Sequence, residues 1–129
     1  MSPEPMIFSA ACIKTLSAVE VHPSRSNQHE FNGVSALKKI FGLERFERNA
    51  LFSIRGSGIE VIASVTWYDS RKSHPRRSEH RLYFQTNEVM SHAKEGDNIL
   101  IGIDDNQQLH IILIPNDLDR HERWTAVQY

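Results

Sequence analysis

Residues Val61-Ile-Ala-Ser-Val-Thr-Trp-Tyr68 alternate in a way that a helix does not tolerate. Val61, Ala63, Val65 and Trp67 fall on one side of an extended chain, and Ile62, Ser64, Thr66 and Tyr68 on the other. A period of two, rich in β-branched residues, predicts a strand with one strongly apolar face. Upstream, Leu51–Arg55 followed by Gly56-Ser57-Gly58 supplies the first strand and the turn of a β-hairpin. The same reasoning predicts strands over Met6–Ser17, Glu79–Gln85, Asn98–Ile103 and Gln108–Ile114. The last two are joined by the turn Asp104-Asp105-Asn106-Gln107.

Helical periodicity is confined to short stretches. Val34, Leu37, Ile40 and Phe41 form one apolar stripe that ends at Gly42, the signature of a glycine C-cap. Thr86 is expected to cap a second short helix through Ala93, and Leu118, Trp124 and Val127 a third. Ala18–Gly33, with Pro23, Asn27 and Asn32, reads as a long polar loop. The expected fold is mainly β (α+β): a seven-stranded open pseudobarrel with two or three short helices, forming a single domain over residues 1–129.

At 129 residues the chain is long enough to bury a core without disulfides or metals. Its one cysteine, Cys12, sits in an apolar run and has no partner within the chain, so a reducing compartment and a small buried hydrophobe are expected. No apolar stretch approaches the ~20 residues that span a membrane, and Met-Ser-Pro-Glu-Pro lacks the basic start of a secretory signal, so the cytoplasm is the expected location.

Net charge is −1, but the charges are partitioned. Residues 1–81 hold 12 Lys+Arg against 8 Asp+Glu, a balance of +4; residues 82–129 hold 3 against 8, a balance of −5. The basic half culminates in Asp69-Ser-Arg-Lys-Ser-His-Pro-Arg-Arg-Ser-Glu-His-Arg81. Guanidinium forks match phosphate oxygens and the N7/O6 edge of guanine, and a carboxylate accepts from the cytosine amino group. Strand spacing puts Arg77, Glu79 and Arg81 on one side, a set fit for a G·C-rich major groove. The plain alternative is a solvated charged loop. A second segment, Val21–Glu30, offers Asn27 and Gln28 as adenine-reading amides and Arg25, His22 and His29 as phosphate contacts, or else a solvated connection.

Enzymatic chemistry finds little footing. A metal-dependent nuclease of the common restriction type carries an acidic residue two positions before its lysine. Here Cys12, Ala36, Leu37, Ser70 and His92 precede Lys14, Lys38, Lys39, Lys72 and Lys94. The seven histidines show no zinc-ligand spacing with a second cysteine, and neither a phosphate-cradling glycine loop nor a nucleophile elbow is present. No cofactor, metal or catalytic residue is expected. A nuclease with a non-standard site and a protein-interaction module using the basic arm remain the alternatives. RNA binding would need a stacking platform, and strand aromatics such as Trp67, Tyr68 and Tyr83 are more often core residues, although spacing sets Tyr83 with Arg81 opposite Leu82 and Phe84.

Two segments carry a family resemblance. One comprises Lys14-Thr-Leu-Ser17, Asn27-Gln28 and Ser35-Ala-Leu-Lys-Lys-Ile-Phe41; the other comprises Trp67-Tyr-Asp-Ser-Arg71 and Arg77-Ser-Glu-His-Arg81. In these the chain resembles the N-terminal effector domain of EcoRII-type restriction endonucleases, a DNA-binding pseudobarrel related to the B-three domain of plant transcription factors. The resemblance implies a barrel that grips double-stranded DNA like a wrench, with an N-arm over about 14–30 and a C-arm over about 69–81. It implies readout of a short G·C-rich site such as CCWGG and a separate catalytic nuclease domain. It carries roles as base or phosphate readers onto Arg71, Arg77, Glu79 and Arg81, and onto Asn27 and Gln28 of the N-arm; the charged segments themselves add Lys72, Arg76, His80, Lys14, Arg25 and His29 as expected DNA contacts. His80 stands where that family has a lysine, and Pro75 and Arg76 fall at positions its pattern does not fix.

Overall fold

A computed structural model describes residues 8–16, 30–33, 35–69, 80–115 and 125–126. Eight strands among them form one sheet: β1 (Phe8–Thr15), β2 (Glu30–Gly33), β3 (Phe46–Ile54), β4 (Glu60–Asp69), β5 (His80–Phe84), β6 (Asn98–Asp104), β7 (Leu109–Ile114) and β8 (Thr125–Ala126). Their order is β2-β5-β4-β3-β7-β6-β1-β8, and the sheet curls into a half-barrel. Two short helices accompany it, α1 (Ser35–Phe41) and α2 (Glu88–Ser91). The fold is therefore mainly β, as the alternation predicts.

Every neighbouring pair is antiparallel except β3–β7, which is parallel and lies at the centre. Its register sets Ala50, Phe52 and Ile54 beside Leu109, Ile111 and Leu113, all buried in the main core. From β4 the core receives Ala63, Val65 and Trp67, the face that the alternation assigned to the interior. Leu82 and Phe84 complete it from β5, with the Phe52 and Phe84 rings 6.3 Å apart. Strands β6 and β7 are buried along nearly their whole length, because Ala11, Leu100, Ile112 and Ile114 form a second apolar cluster separate from the main core.

Helix α1 contacts both β1 and β2, which lie near opposite ends of the sheet, and sends the fully buried Leu37 into the core. It thus spans the open side of the half-barrel. Gly42 ends it with φ +79, and its N–H donates to the Lys38 carbonyl at 2.8 Å. An L side chain seldom adopts that backbone conformation, which is why the stripe stops at a glycine.

Five expectations need correction. Residues 30–33, read as the tail of a loop, form β2 through backbone pairing with β5, which a polar sequence does not announce. The cap of α2 is Asn87, not Thr86: its Oδ1 accepts the Met90 N–H at 3.0 Å. Helix α2 spans only Glu88–Ser91 and does not run to Ala93. Thr125–Ala126, expected in a final helix, instead pairs with Cys12 and Ile13 of β1, while Leu118, Trp124 and Val127 lie outside the described residues. Strands β2 and β8 bring the total to eight where seven were expected, and six strands of five or more residues form the body of the sheet.

Candidate nucleic-acid interface

Strands β4 and β5 pair from Val65↔Phe84 to Asp69↔His80, and the basic segment 70–79 is the connection that leaves this last pair. Strand β5 then pairs with β2, from His80↔Gly33 to Tyr83↔Glu30. The 17–29 connection enters β2 at Glu30. The two segments expected to act as arms are therefore rooted on adjacent strands, at opposite ends of a four-residue ladder, about 10 Å apart at ~3.3 Å per residue.

Alternation decides which side chains this ladder shows to either face. His80, Leu82 and Phe84 are buried, whereas Arg81 is half-buried and Tyr83 is 42% exposed. Strand β4 does the same, burying Val65 and Trp67 and turning Thr66 and Tyr68 outward, partly exposed. In register, Tyr68 lies beside Arg81 and Thr66 beside Tyr83. Directly opposed residues share a face of a sheet. Arg81 thus heads an outward row, with tyrosines beside it, between the roots of both connections.

His80 faces the other way. It is 3% exposed, its ring stacks on Trp67 at 5.1 Å and 27°, and its Nε2 lies 2.8 Å from the Leu43 carbonyl. A carbonyl only accepts, so Nε2 carries a proton. As part of the basic arm His80 is an expected DNA contact, but the same alternation that turns Arg81 outward turns its neighbour into the core. Lys14 is half-buried on β1, five strands from β5 in the sheet order, and donates through Nζ to the Thr15 carbonyl at 3.1 Å. Its parity is that of Cys12 and Leu16, which line the main core. Arg71, Lys72, Arg76, Arg77 and Glu79 lie outside the described residues, as do Arg25, Asn27, Gln28 and His29.

Trp67 is a core residue, whereas Tyr83 is turned outward on the side of Arg81, as its spacing predicts. The signal was present in the sequence: Leu82 and Phe84 claim the interior, so the tyrosine between them must point out.

Two further clusters lie elsewhere. Asp104 accepts the His110 Nε2–H at 2.8 Å on one carboxylate oxygen and the Asn106 and Gln108 N–H groups on the other. The His110 hydrogen bond, then the backbone N–H of Gln108, holds its carboxyl below the usual carboxylate range. This arrangement closes the β6–β7 turn, to which the Arg48 guanidinium adds a hydrogen bond on the Gln107 carbonyl. At the other end of the strands a cleft of about 280 Å³ opens over Ile54 and Leu113, with Ser57, His92 and Lys94 on its rim. It lies far along β3 and β4 from the Asp69–His80 pair. Among the described residues no group of three or more His, Cys, Asp or Glu is placed to hold a metal ion. Nor is any helix among them long and apolar enough to cross a membrane.

No protein-family model and no curated protein matches this sequence.

Proposed function

We propose that this chain binds short sites in double-stranded DNA, reading base edges from the major groove without cleaving the duplex. In this reading the half-barrel is the open pseudobarrel of the EcoRII-type effector domain, working in the cytoplasm beside a separate catalytic nuclease domain. The observation that carries it is the outward row headed by Arg81, set in register between the roots of the 17–29 and 70–79 connections. Arg81 continues, at strand spacing, the Arg77–Glu79 alternation of the basic arm. Arg77, Glu79 and Arg81 are the proposed base readers of a G·C-rich site, with Asn27 and Gln28 reading from the other arm. Arg71, Lys72, Arg76, Arg25 and His29 are the proposed phosphate contacts; Lys14, on β1 with core-facing parity, is left out of the set.

Selection from a randomised duplex library, followed by affinity measurements over a salt series, tests this. A preferred site should emerge. Arg81→Ala should cost ~1–3 kcal/mol on it and relax preference at one position. Lys72→Ala should weaken all duplexes alike and reduce the salt slope by about one. Absence of binding to any duplex at low salt would return the arm to a role in docking an acidic partner. Cleavage by a clean preparation supplied with Mg²⁺ would overturn the non-catalytic assignment.

A further inference from the structure

The buried side of the arm root is built as carefully as its outward side. His80 belongs to the last β4–β5 pair before the 70–79 connection, and its ring is held on two fronts. Trp67 stacks against it from β4, and the Leu43 carbonyl takes its Nε2–H from the turn after α1. Trp67 is held in turn by the same turn, its Nε1–H donating to the Gly42 carbonyl at 3.1 Å. Phe41, the last residue of α1, packs against Trp67 at 5.1 Å and against Phe46 of β3 at 5.4 Å. Four rings, Phe46, Phe41, Trp67 and His80, thus run from β3 across the end of α1 to the root of the basic arm. Gly42 and Leu43 present consecutive carbonyls to two of those rings. The positive φ of Gly42 is the local feature that turns the chain there.

The same helix follows β2 after one residue and contacts β1. It therefore sits between the root of the 17–29 connection and, through Trp67 and His80, the root of the 70–79 connection.

We propose that His80 is a positioning residue for DNA readout: clamped between Trp67 and the Leu43 carbonyl, it fixes the β5 end of the arm against α1. This sets Arg81, one residue on, at the place where a base edge can be read. The inference rests on the DNA-binding reading above and adds to it a residue that touches no DNA. A side chain that packs without positioning would alter stability and leave discrimination intact. A positioning residue alters discrimination in a protein that is still folded, because base contacts demand angular accuracy that phosphate contacts do not.

Two variants separate the two fronts. His80→Phe keeps a ring on Trp67 and removes the donor to Leu43. His80→Gln removes the ring and offers an amide N–H to that carbonyl. Each is compared with the parent well below its unfolding temperature, using the library-selected duplex and a scrambled duplex. Amide hydrogen exchange is followed at Asp69 and Arg81 in the free protein. In His80→Phe the ratio of the two affinities should fall about tenfold, the size of one lost base contact. Binding to the scrambled duplex should stay within about twofold, since phosphate contacts are spread over the surface. Exchange at Asp69 and Arg81 should quicken, and His80→Gln should recover part of both effects. A parental affinity ratio and parental exchange in His80→Phe would overturn the proposal. If the parent itself distinguishes no duplex, the DNA-binding reading fails, and exchange alone decides the clamp. Quickening in His80→Phe that His80→Gln reverses supports it, and unchanged exchange refutes it.

Discussion

Replacing Trp67 by phenylalanine should destabilise the protein by about 2–3 kcal/mol, and the structure says where that comes from. The side chain is fully buried, its Nε1–H is bonded to the Gly42 carbonyl at 3.1 Å, and Phe41 and His80 lie against it at 5.1 Å. Phenylalanine deletes the donor, which costs ~1 kcal/mol net and leaves a carbonyl to find another partner. It also removes the extra ring atoms, equivalent to about two methylenes at ~0.8 kcal/mol each. Urea unfolding followed by far-UV circular dichroism measures the sum without depending on tryptophan emission. With a urea slope of ~1–3 kcal/mol per molar, the midpoint should fall by about 1 M while the slope stays the same. A double-mutant cycle of Trp67→Ala with His80→Ala isolates the ring pair, whose coupling should be ~0.5–1.5 kcal/mol. A loss below ~0.5 kcal/mol for Trp67→Phe would refute the assignment of the indole N–H and the ring packing as stabilising contacts. A coupling of zero would refute the stack alone.

Three further outcomes follow from features away from the arm. Asn87→Ala removes the cap of α2 and should cost ~1 kcal/mol, read as a lowered midpoint in thermal or urea unfolding. Asn87→Asp should recover most of it. Asp104 is held below the usual carboxylate range, first by the His110 hydrogen bond, so it binds its proton more readily in the unfolded chain. Its stabilising contribution is fully present above the ordinary carboxyl value of about 4 and is lost as pH falls through the lower folded value. Urea midpoints of Asp104→Asn should therefore change less over that acid window than those of the parent. Burial pushes the Cys12 thiol up to about 12, so it stays protonated at neutral pH. A soluble disulfide reagent should label it only at the rate of unfolding, and rapid labelling of the native protein would contradict its burial.

What could be read from the residues depended on whether an element carries its own pattern. Strand β4 has both a period of two and a glycine turn ahead of it, and its interior face agrees residue by residue with the alternation. Helix α1 was legible because Leu37, Ile40 and Phe41 run straight into Gly42. Strand β2 was not, since Glu-Phe-Asn-Gly gains its structure only from backbone pairing with β5. Strand β8 is a two-residue pairing on β1, too short for any periodicity. The cap of α2 was misplaced by one because threonine and asparagine, adjacent at 86 and 87, are both competent caps. For the interface, the outward turn of Arg81 was contained in strand spacing. The inward turn of His80 is contained in the same spacing, although its place in the basic arm sets it among the expected contacts.

That disagreement at position 80 has a physical resolution. A lysine in the place His80 occupies would bring an ammonium to a site 3% exposed, where the face of an indole and the Leu43 carbonyl lie against the side chain. Burying an ammonium costs several kcal/mol, so a long lysine side chain favours an arrangement that carries its head toward water. Histidine can stay. Its planar ring satisfies the stack, and one N–H satisfies the carbonyl without requiring a net charge. A lysine at this position and the Trp67–Leu43 clamp are therefore alternatives for one segment. With lysine, position 80 is free to reach outward as a cation. With histidine, it anchors the strand and leaves Arg81 as the outward cation nearest the arm root. His80→Lys should then lose the clamp: Asp69 and Arg81 should exchange faster, and affinity for scrambled duplex should rise with the added charge while discrimination falls. If His80→Lys kept parental exchange and parental discrimination, the ring would not be what holds the arm, and the outward row would have to be positioned by the β2–β5–β4 ladder alone.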